Sequence, residues 1–351
     1  MVCPYSLTIP GGVQMQVVAL ARELRLQGLA VQVLAPCDGP PPDAAVTPLG
    51  KSVPFATNGS VAPIAPDPSA AVRTIRALRN EQFDVVHIHE PLVPGPSLTA
   101  LLFSDRPIVG TFHRAGASTA YALLRPIVRR ISTRITRRVA VSEDARRTAY
   151  DGIGGDYTVL FNGIDVERFS HAEPWPTTGP TVFFFGRHES RKGLAVLLEA
   201  RKLLPPEVTI WVAGTGPETE KLQLLCADDE RVQWLGRVND DELAQRLAGA
   251  DIACLPSLHG ESFGVVLIEA MAAGTAIVAT DLPGYRAVAR PDEHAILVPP
   301  EDPRALGEAL RALLENETRR DELIAAGRDR AGEFAMPLLA KAYAEIYASL
   351  L

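Results

Sequence analysis

The sequence predicts an α/β protein of two doubly wound domains, each a mostly parallel sheet flanked by helices. Three observations lead there. Apolar runs of strand length alternate with stretches of helix length through both halves. The chain has 351 residues, room for two domains with separate cores. Its composition, 47% apolar and 22% charged, is that of a globular protein.

The same composition narrows the function. No apolar run nears the ~20 residues that span a bilayer, and no basic-then-apolar leader opens the chain, so a cytoplasmic location is expected. Cys3, Cys37, Cys226 and Cys254 lack C-x2-C spacing and suggest neither zinc nor a disulfide framework; Cys3 and Cys254 read as small core residues. The net charge of −7 is uneven: residues 1–168 carry 17 Lys and Arg against 14 Asp and Glu, the remainder 18 against 28. A basic first half points to an anionic partner such as lipid head groups or diphosphates. The acidic overall balance, without aromatic-basic interleaving, argues against nucleic acid.

Taken in order, Met1 to Tyr5 reads as a short first strand. The loop through Gly11 and Gly12 then opens a helix to about Gln27, and paired glycines at such a turn either let backbone N–H groups approach an anion or simply make a tight turn. The G-x-G-x-x-G dinucleotide fingerprint is absent there. Ala30 to Ala35 is the second strand. Asn58-Gly59 reads as a turn. From Ser69 to Asn80 a helix sets Ala71, Ile75 and Leu78 on one face and Arg73, Arg76 and Arg79 on the other, either an ordinary solvated face or a surface for an anionic membrane.

Phe83 to His89 is a buried strand delivering His87, His89 and Glu90, for which packing and hydrogen bonding are favoured over metal ligation. A parallel run, Ile108 to His113, ends in His113. A helix is expected over Arg125 to Arg138, with Arg130, Arg134, Arg137 and Arg138 clustered. Val139 to Glu143 gives a short strand, Asn162 to Asp165 a turn, and the Pro-rich segment His171 to Pro180 a hinge. Strands at Thr181 to Gly186, Val208 to Gly214, Val232 to Gly236 and Ala250 to Leu255 follow. In the loop after the first of these, Arg187 and Lys192 are either solvated charges or cations for a diphosphate.

The stretch Gly260 to Gly274, GESFGVVLIEAMAAG, lies between two apolar strands and sets Glu261 in a loop and Glu269 in a helix beginning near Phe263 or Gly264. Acids near helix starts are common for stability alone. Glu269, however, is flanked by Val265, Val266, Leu267, Ile268, Ala270, Met271 and Ala272, and a charge so surrounded needs a partner or a ligand. A helix N-terminus at a strand's carboxyl end suits a diphosphate, and carboxylates suit hydroxyls. A sugar nucleotide carries both.

Gly260 to Gly274 resembles the glutamate-x7-glutamate signature of retaining glycosyltransferase family 4, and CPYSLTIPGGVQ resembles the opening of the bacterial phosphatidyl-myo-inositol mannosyltransferases within it. The resemblance covers nearly the whole chain. It implies the GT-B fold, two Rossmann-like domains facing a central cleft: residues 1–170 acceptor-binding, 171–335 nucleotide-sugar-binding, and a helix over 336–351 packing back on the first. By the same resemblance Glu261 addresses the donor sugar and Glu269 the ribose. Gly11, Gly12, Arg187 and Lys192 face the diphosphate along with the helix start at Phe263 and Gly264. The base lies against backbone at Val238, and His113 sits beside the anomeric carbon. Asn58 and Arg114 fall on the acceptor side, although Arg114 to Ser118 lack the hydroxyl-rich pattern of the inositol-lipid enzymes.

The implied reaction transfers a hexose with retention by front-face attack, without a metal cofactor. GDP-mannose is the leading donor and an inositol phospholipid the leading acceptor; another nucleotide sugar with another lipid or small alcohol is the alternative. Arg73, Arg76 and Arg79 would hold the enzyme at the inner face of the membrane. A nucleotide-sugar epimerase of the same architecture would act on donor alone. A dinucleotide oxidoreductase is disfavoured by the missing fingerprint, and a noncatalytic lipid-binding protein would bind no nucleotide.

Overall fold

A computed structural model describes residues 1–57, 60–114, 125–261 and 263–351, with side chains at 56, 57, 60, 61 and 125 left aside. The chain divides into two units, Met1–Gly163 with Met336–Leu351, and Ile164–Ala335. The N-terminal unit contains α1 (Gly12–Leu26), β1 (Val33–Ala35), β2 (Val46–Pro48), β3 (Val53–Thr57), β4 (Ser60–Ile64), α2 (Pro68–Asn80), β5 (Val86–His89) and α3 (Pro96–Phe103). It continues through β6 (Ile108–Phe112), α4 (Arg125–Ser132), β7 (Arg137–Ala140), α5 (Glu143–Ile153) and β8 (Thr158–Val159).

Strands β5 to β8 form a parallel sheet in that order, and β1 pairs with β2. Val2 bridges β1 at Leu34 and β5 at Ile88, so the expected first strand survives as one bridged residue stitching the two parts together. The spatial order is then β2, β1, Val2, β5, β6, β7, β8. The direction of winding reverses between Val2 and β5, and the loops that follow them carry the Gly11-Gly12 turn and Glu90.

The C-terminal unit contains α6 (Val166–Ser170), β9 (Thr181–Phe185), α7 (Leu194–Ala200), β10 (Thr209–Ala213), α8 (Thr219–Leu224), β11 (Val232–Gly236), α9 (Asp240–Gly249) and β12 (Ile252–Leu255). After these come α10 (Val265–Ala273), β13 (Ala276–Thr280), α11 (Pro283–Arg286), β14 (Ile296–Val298), α12 (Pro303–Leu314) and α13 (Glu317–Gly332). Its parallel sheet runs β11-β10-β9-β12-β13-β14. Strands β9, β12 and β13 are buried at every position, hence their unbroken apolar sequences. Alternation divides the core: Phe183, Phe185 and Trp211 pack with α10 residues on one face, Val182, Phe184 and Ile210 with α7 residues on the other. Here the winding reverses between β9 and β12, which places the loops after those strands side by side.

Helix α14 (Met336–Ala348) belongs to the N-terminal unit, where Met336, Ala340 and Tyr343 pack with Leu20 and Leu24 of α1.

Three expectations are corrected. The first unit ends at Gly163 rather than at residue 170, because Ile164 and Phe169 are buried in the second unit's core. The segment His171 to Pro180 is no hinge: it lies inside the C-terminal unit, where the Trp175 amide donates to the Gln245 carbonyl and the Arg246 guanidinium stacks 3.9 Å over its ring. The helix expected through Arg138 stops at Ser132. There the Ser132 hydroxyl donates to the Val128 carbonyl, and β-branched Thr133, Ile135 and Thr136 follow. Arg134 turns to α3, donating to the carbonyls of Leu101 at 2.8 Å and Ser104 at 2.5 Å, while Arg137 and Arg138 lie on β7.

Candidate active site

In the C-terminal unit the loop after β9 meets the loop after β12. The Leu258 amide donates to the Arg191 carbonyl at 2.7 Å, and Gly193, at φ +69°, packs its α-carbon against the Pro256 carbonyl where any side chain would collide. That closeness brings the charges together. Lys192 Nζ donates to Glu261 Oε1 at 2.6 Å, Arg191 Nη1 lies 3.5 Å from the same oxygen, and the Ser257 hydroxyl donates to it at 3.0 Å. Tyr285 in turn donates to Ser257 at 3.0 Å. Burial pushes the Glu261 carboxyl up, but Lys192, Arg191 and Ser257 together outweigh it and hold the group below the usual carboxylate range.

Arg187 lies 3.1 Å from Glu189, whose other oxygen holds Arg191 at 2.9 Å. Arg187 is half-exposed and Lys192 mostly buried, so the loop offers one accessible and one sheltered cation. Sequence reasoning selected Arg187 and Lys192 but missed Arg191, Glu189, Ser257 and Tyr285. For Arg191 the signal was present in the same RHESRKG run; Ser257 and Tyr285 are 28 residues apart and carry none.

Gly264, φ +75°, caps the start of helix α10, and a β-carbon there would stand 2.7 Å from the Tyr285 ring. Phe263 is a core residue packed edge-on against Phe334. It shapes the helix start from beneath. Glu269, one turn in, is buried, and among the described residues nothing hydrogen-bonds its carboxylate. Burial, then the charge of Asp240, push it up to about 8 against Arg168 and Lys192. It is therefore a neutral acid near pH 7, able to donate as well as accept a hydrogen bond. Val238 is partly buried and packs on the core beside α9, leaving its backbone as the part able to meet a ligand.

In the N-terminal unit Gly11 caps α1 in extended conformation, where a β-carbon would collide with the Gln14 side chain, and the space beside Gly12 is open. Strands β5 and β6 end next to each other. His87 bonds Tyr347 at 2.6 Å and Thr111 at 2.7 Å, and Thr111 reaches Tyr343 at 3.0 Å, tying the sheet to α14. His89 Nδ1 lies 2.9 Å from His113 Nε2. Glu90, at φ +47°, turns its carboxylate to accept the backbone amides of His113 at 2.6 Å and Arg114 at 2.8 Å. A side chain held at positive φ is the kind of strain that accompanies a site.

Burial drives His113 down to about 3, and His87 and His89 well below their usual value, so all three are neutral. The Arg114 Nε is buried, with no partner among the described residues. Of the two residues expected on the acceptor side, Asn58 lies outside the described residues and Arg114 is described. Of the arginines expected to form a free basic face on α2, Arg73 is engaged: its Nε donates to the Leu49 carbonyl at 2.5 Å and its Nη2 to Ser69 at 2.8 Å. Arg76 and Arg79 are exposed. All four cysteines are buried and unpaired. Among the described residues no helix is long and apolar enough to cross a membrane.

Comparison with known proteins bears on the fold and the family. Residues 10–168 match the model of "Glycosyltransferase Family 4" and residues 165–330 that of "Glycosyl transferases group 1". The chain is 38% identical over 362 residues to the phosphatidyl-myo-inositol mannosyltransferase of Mycobacterium leprae (strain TN), covering 99% of this chain and 95% of that one. It is 39% identical over 357 residues to the enzyme of the same name from Mycolicibacterium smegmatis, covering 99% and 92%. The solved structure of Anabaena Alr3699/HepE in complex with UDP and glucose superposes with a TM-score of 0.78 at 18% identity, over 99% of this chain and 98% of that one. The two Rossmann-like halves are those of the GT-B fold, and the chain belongs to glycosyltransferase family 4.

Proposed function

We propose that this glycosyltransferase is a retaining mannosyltransferase moving mannose from GDP-mannose to an inositol phospholipid. The observation that carries the reading is the Lys192–Glu261 pair at 2.6 Å beside Arg191 and Arg187, on the loops where the C-terminal sheet reverses its winding. The names of relatives at 38–39% identity supply the sugar and the acceptor.

In this reading Arg187, Lys192, the start of α10 and the Gly11-Gly12 amides meet the diphosphate, and Glu269 meets the ribose. Backbone at Val238 meets the base. As the anomeric carbon–phosphate oxygen bond lengthens, negative charge gathers on the diphosphate and is stabilised by cations already in position; losing one such donor costs about 3 kcal/mol. Glu261 orients the sugar hydroxyls and His113 positions them. The acceptor hydroxyl attacks on the face the phosphate leaves, a new carbon–oxygen bond forms there, and its proton passes to the departing phosphate oxygen. With cations built into the loop, a divalent ion is not required. Arg114 meets the acceptor, and exposed Arg76 and Arg79 hold the enzyme against anionic lipid at the inner membrane face.

The test incubates the protein with GDP-mannose and phosphatidylinositol in EDTA and weighs the lipid. A lipid heavier by one hexose is expected. Conversion of donor without acceptor would instead indicate an epimerase. Transfer only from a UDP-hexose would give a donor of the class seen in the complex of the Anabaena protein with UDP-glucose.

A further inference from the structure

We infer that His89 is a positioning residue for His113, holding its ring through the Nδ1–Nε2 hydrogen bond and selecting the tautomer that carries its proton on Nδ1. This rests on the proposed role of His113 toward the donor sugar. The two residues stand at the ends of adjacent parallel strands, β5 and β6, 24 positions apart in sequence, with Nδ1 of His89 2.9 Å from Nε2 of His113. Their ring planes lie 29° apart with centroids 5.2 Å apart, the spacing of an edge-to-edge hydrogen bond, and His89 lies in turn against His87, centroids 4.3 Å apart. His87 cannot shift freely, because both its nitrogens are bonded, one to Thr111 and one to Tyr347. The main chain of His113 is held separately by the Glu90 carboxylate. Ring and backbone thus have independent anchors.

The direction of the hydrogen bond follows from what surrounds the remaining nitrogen of His89. Its Nε2 is buried and has no partner among the described residues. A neutral imidazole has one proton to place. Put on Nε2, it would be a buried N–H without an acceptor, the rarer and costlier kind of orphan. On Nδ1 it points at His113, and only a lone pair is left unmatched. His113 then accepts at Nε2, so its own proton sits on Nδ1, which has no partner among the described residues. His113 offers a ligand a hydrogen-bond donor rather than a base. A donor at that place suits a sugar hydroxyl or a phosphate oxygen, and agrees with a mechanism in which the leaving phosphate, not a histidine, takes the acceptor's proton.

The experiment is 15N NMR of histidine-labelled protein with the His113 signals assigned from a His113→Gln variant, alongside steady-state transfer by His89→Phe and His89→Asn. Expected are a protonated Nδ1 and a bare Nε2 on His113 in the wild type, a mixed or reversed pattern in His89→Phe, and a kcat about tenfold lower there with donor KM little changed. His89→Asn, which keeps a donor near the Nδ1 position, restores most of both signals. A His113 protonated on Nε2 in the wild type, or a His89→Phe protein with unchanged pattern and kcat, would overturn the inference. Wild-type transfer by His113→Ala would strike the functional reading of His113 instead, and the tautomer measurement would still decide the pairing.

Discussion

Lys192 and Glu261 are 69 residues apart in sequence and 2.6 Å apart in space, each the other's principal counter-charge. The two groups thus neutralise one another. The pairing keeps two mostly buried charges from standing alone, a situation that would cost several kcal/mol. On the proposed reading, donor binding would exchange one set of partners for another rather than meet a bare charge.

Glu269 makes the stability of the C-terminal unit depend on pH. Its carboxyl is raised from 4.5 to about 8. Below about 4.5 the group is protonated folded or unfolded; between there and about 8 the folded state keeps a proton the unfolded state has released. Stability is therefore lost as pH rises through this window, by up to about 1.4 kcal/mol per pH unit. Glu269→Gln cannot titrate, so melting curves of variant and wild type should diverge from pH 5 to pH 8 and run parallel above. Parallel curves throughout would show that the carboxyl is not shifted.

Gly264→Ala should unfold the C-terminal unit more easily by about 1–3 kcal/mol, because alanine must adopt φ +75° and its methyl meets the Tyr285 ring at 2.7 Å. The observable is a melting temperature several degrees lower, with nucleotide affinity reduced in parallel as the start of α10 shifts. An unchanged melting temperature would mean that α10 does not begin as described.

The arginines of α2 should separate into two kinds. Arg73→Ala loses the bond to the Leu49 carbonyl and should lower stability by about 1 kcal/mol. Arg76→Ala with Arg79→Ala should leave melting unchanged and weaken cosedimentation with anionic vesicles. Equal vesicle binding by the double variant and the wild type would remove α2 from the membrane reading.

Much of this was legible in the sequence. The strands and the helices between them are local patterns, and Glu261 and Glu269 sit in one contiguous stretch whose apolar context marks them out. What escaped was set by neighbours distant in the chain. Ser257 and Tyr285 become partners only when the loops after β12 and β13 adjoin, and His89 and His113 only through the register of β5 on β6. Composition misled at two places. The Pro-rich run near Trp175 reads as a linker until Arg246 is seen stacked on that ring, and the arginines after Ser132 read as helix because charge says nothing about where a hydroxyl ends one.

Single-turnover transfer by Lys192→Met and Glu261→Gln, set beside the affinity of each for free GDP, tests the site most directly. Both variants should fold and lose about a hundredfold or more in transfer rate. Lys192→Met should also bind GDP more weakly, whereas Glu261→Gln, its lysine freed from a competing carboxylate, should bind GDP at least as tightly as the wild type. Wild-type transfer by either variant, or GDP affinity lost equally in both, would contradict the division of the pair into a phosphate-binding cation and a sugar-binding acid.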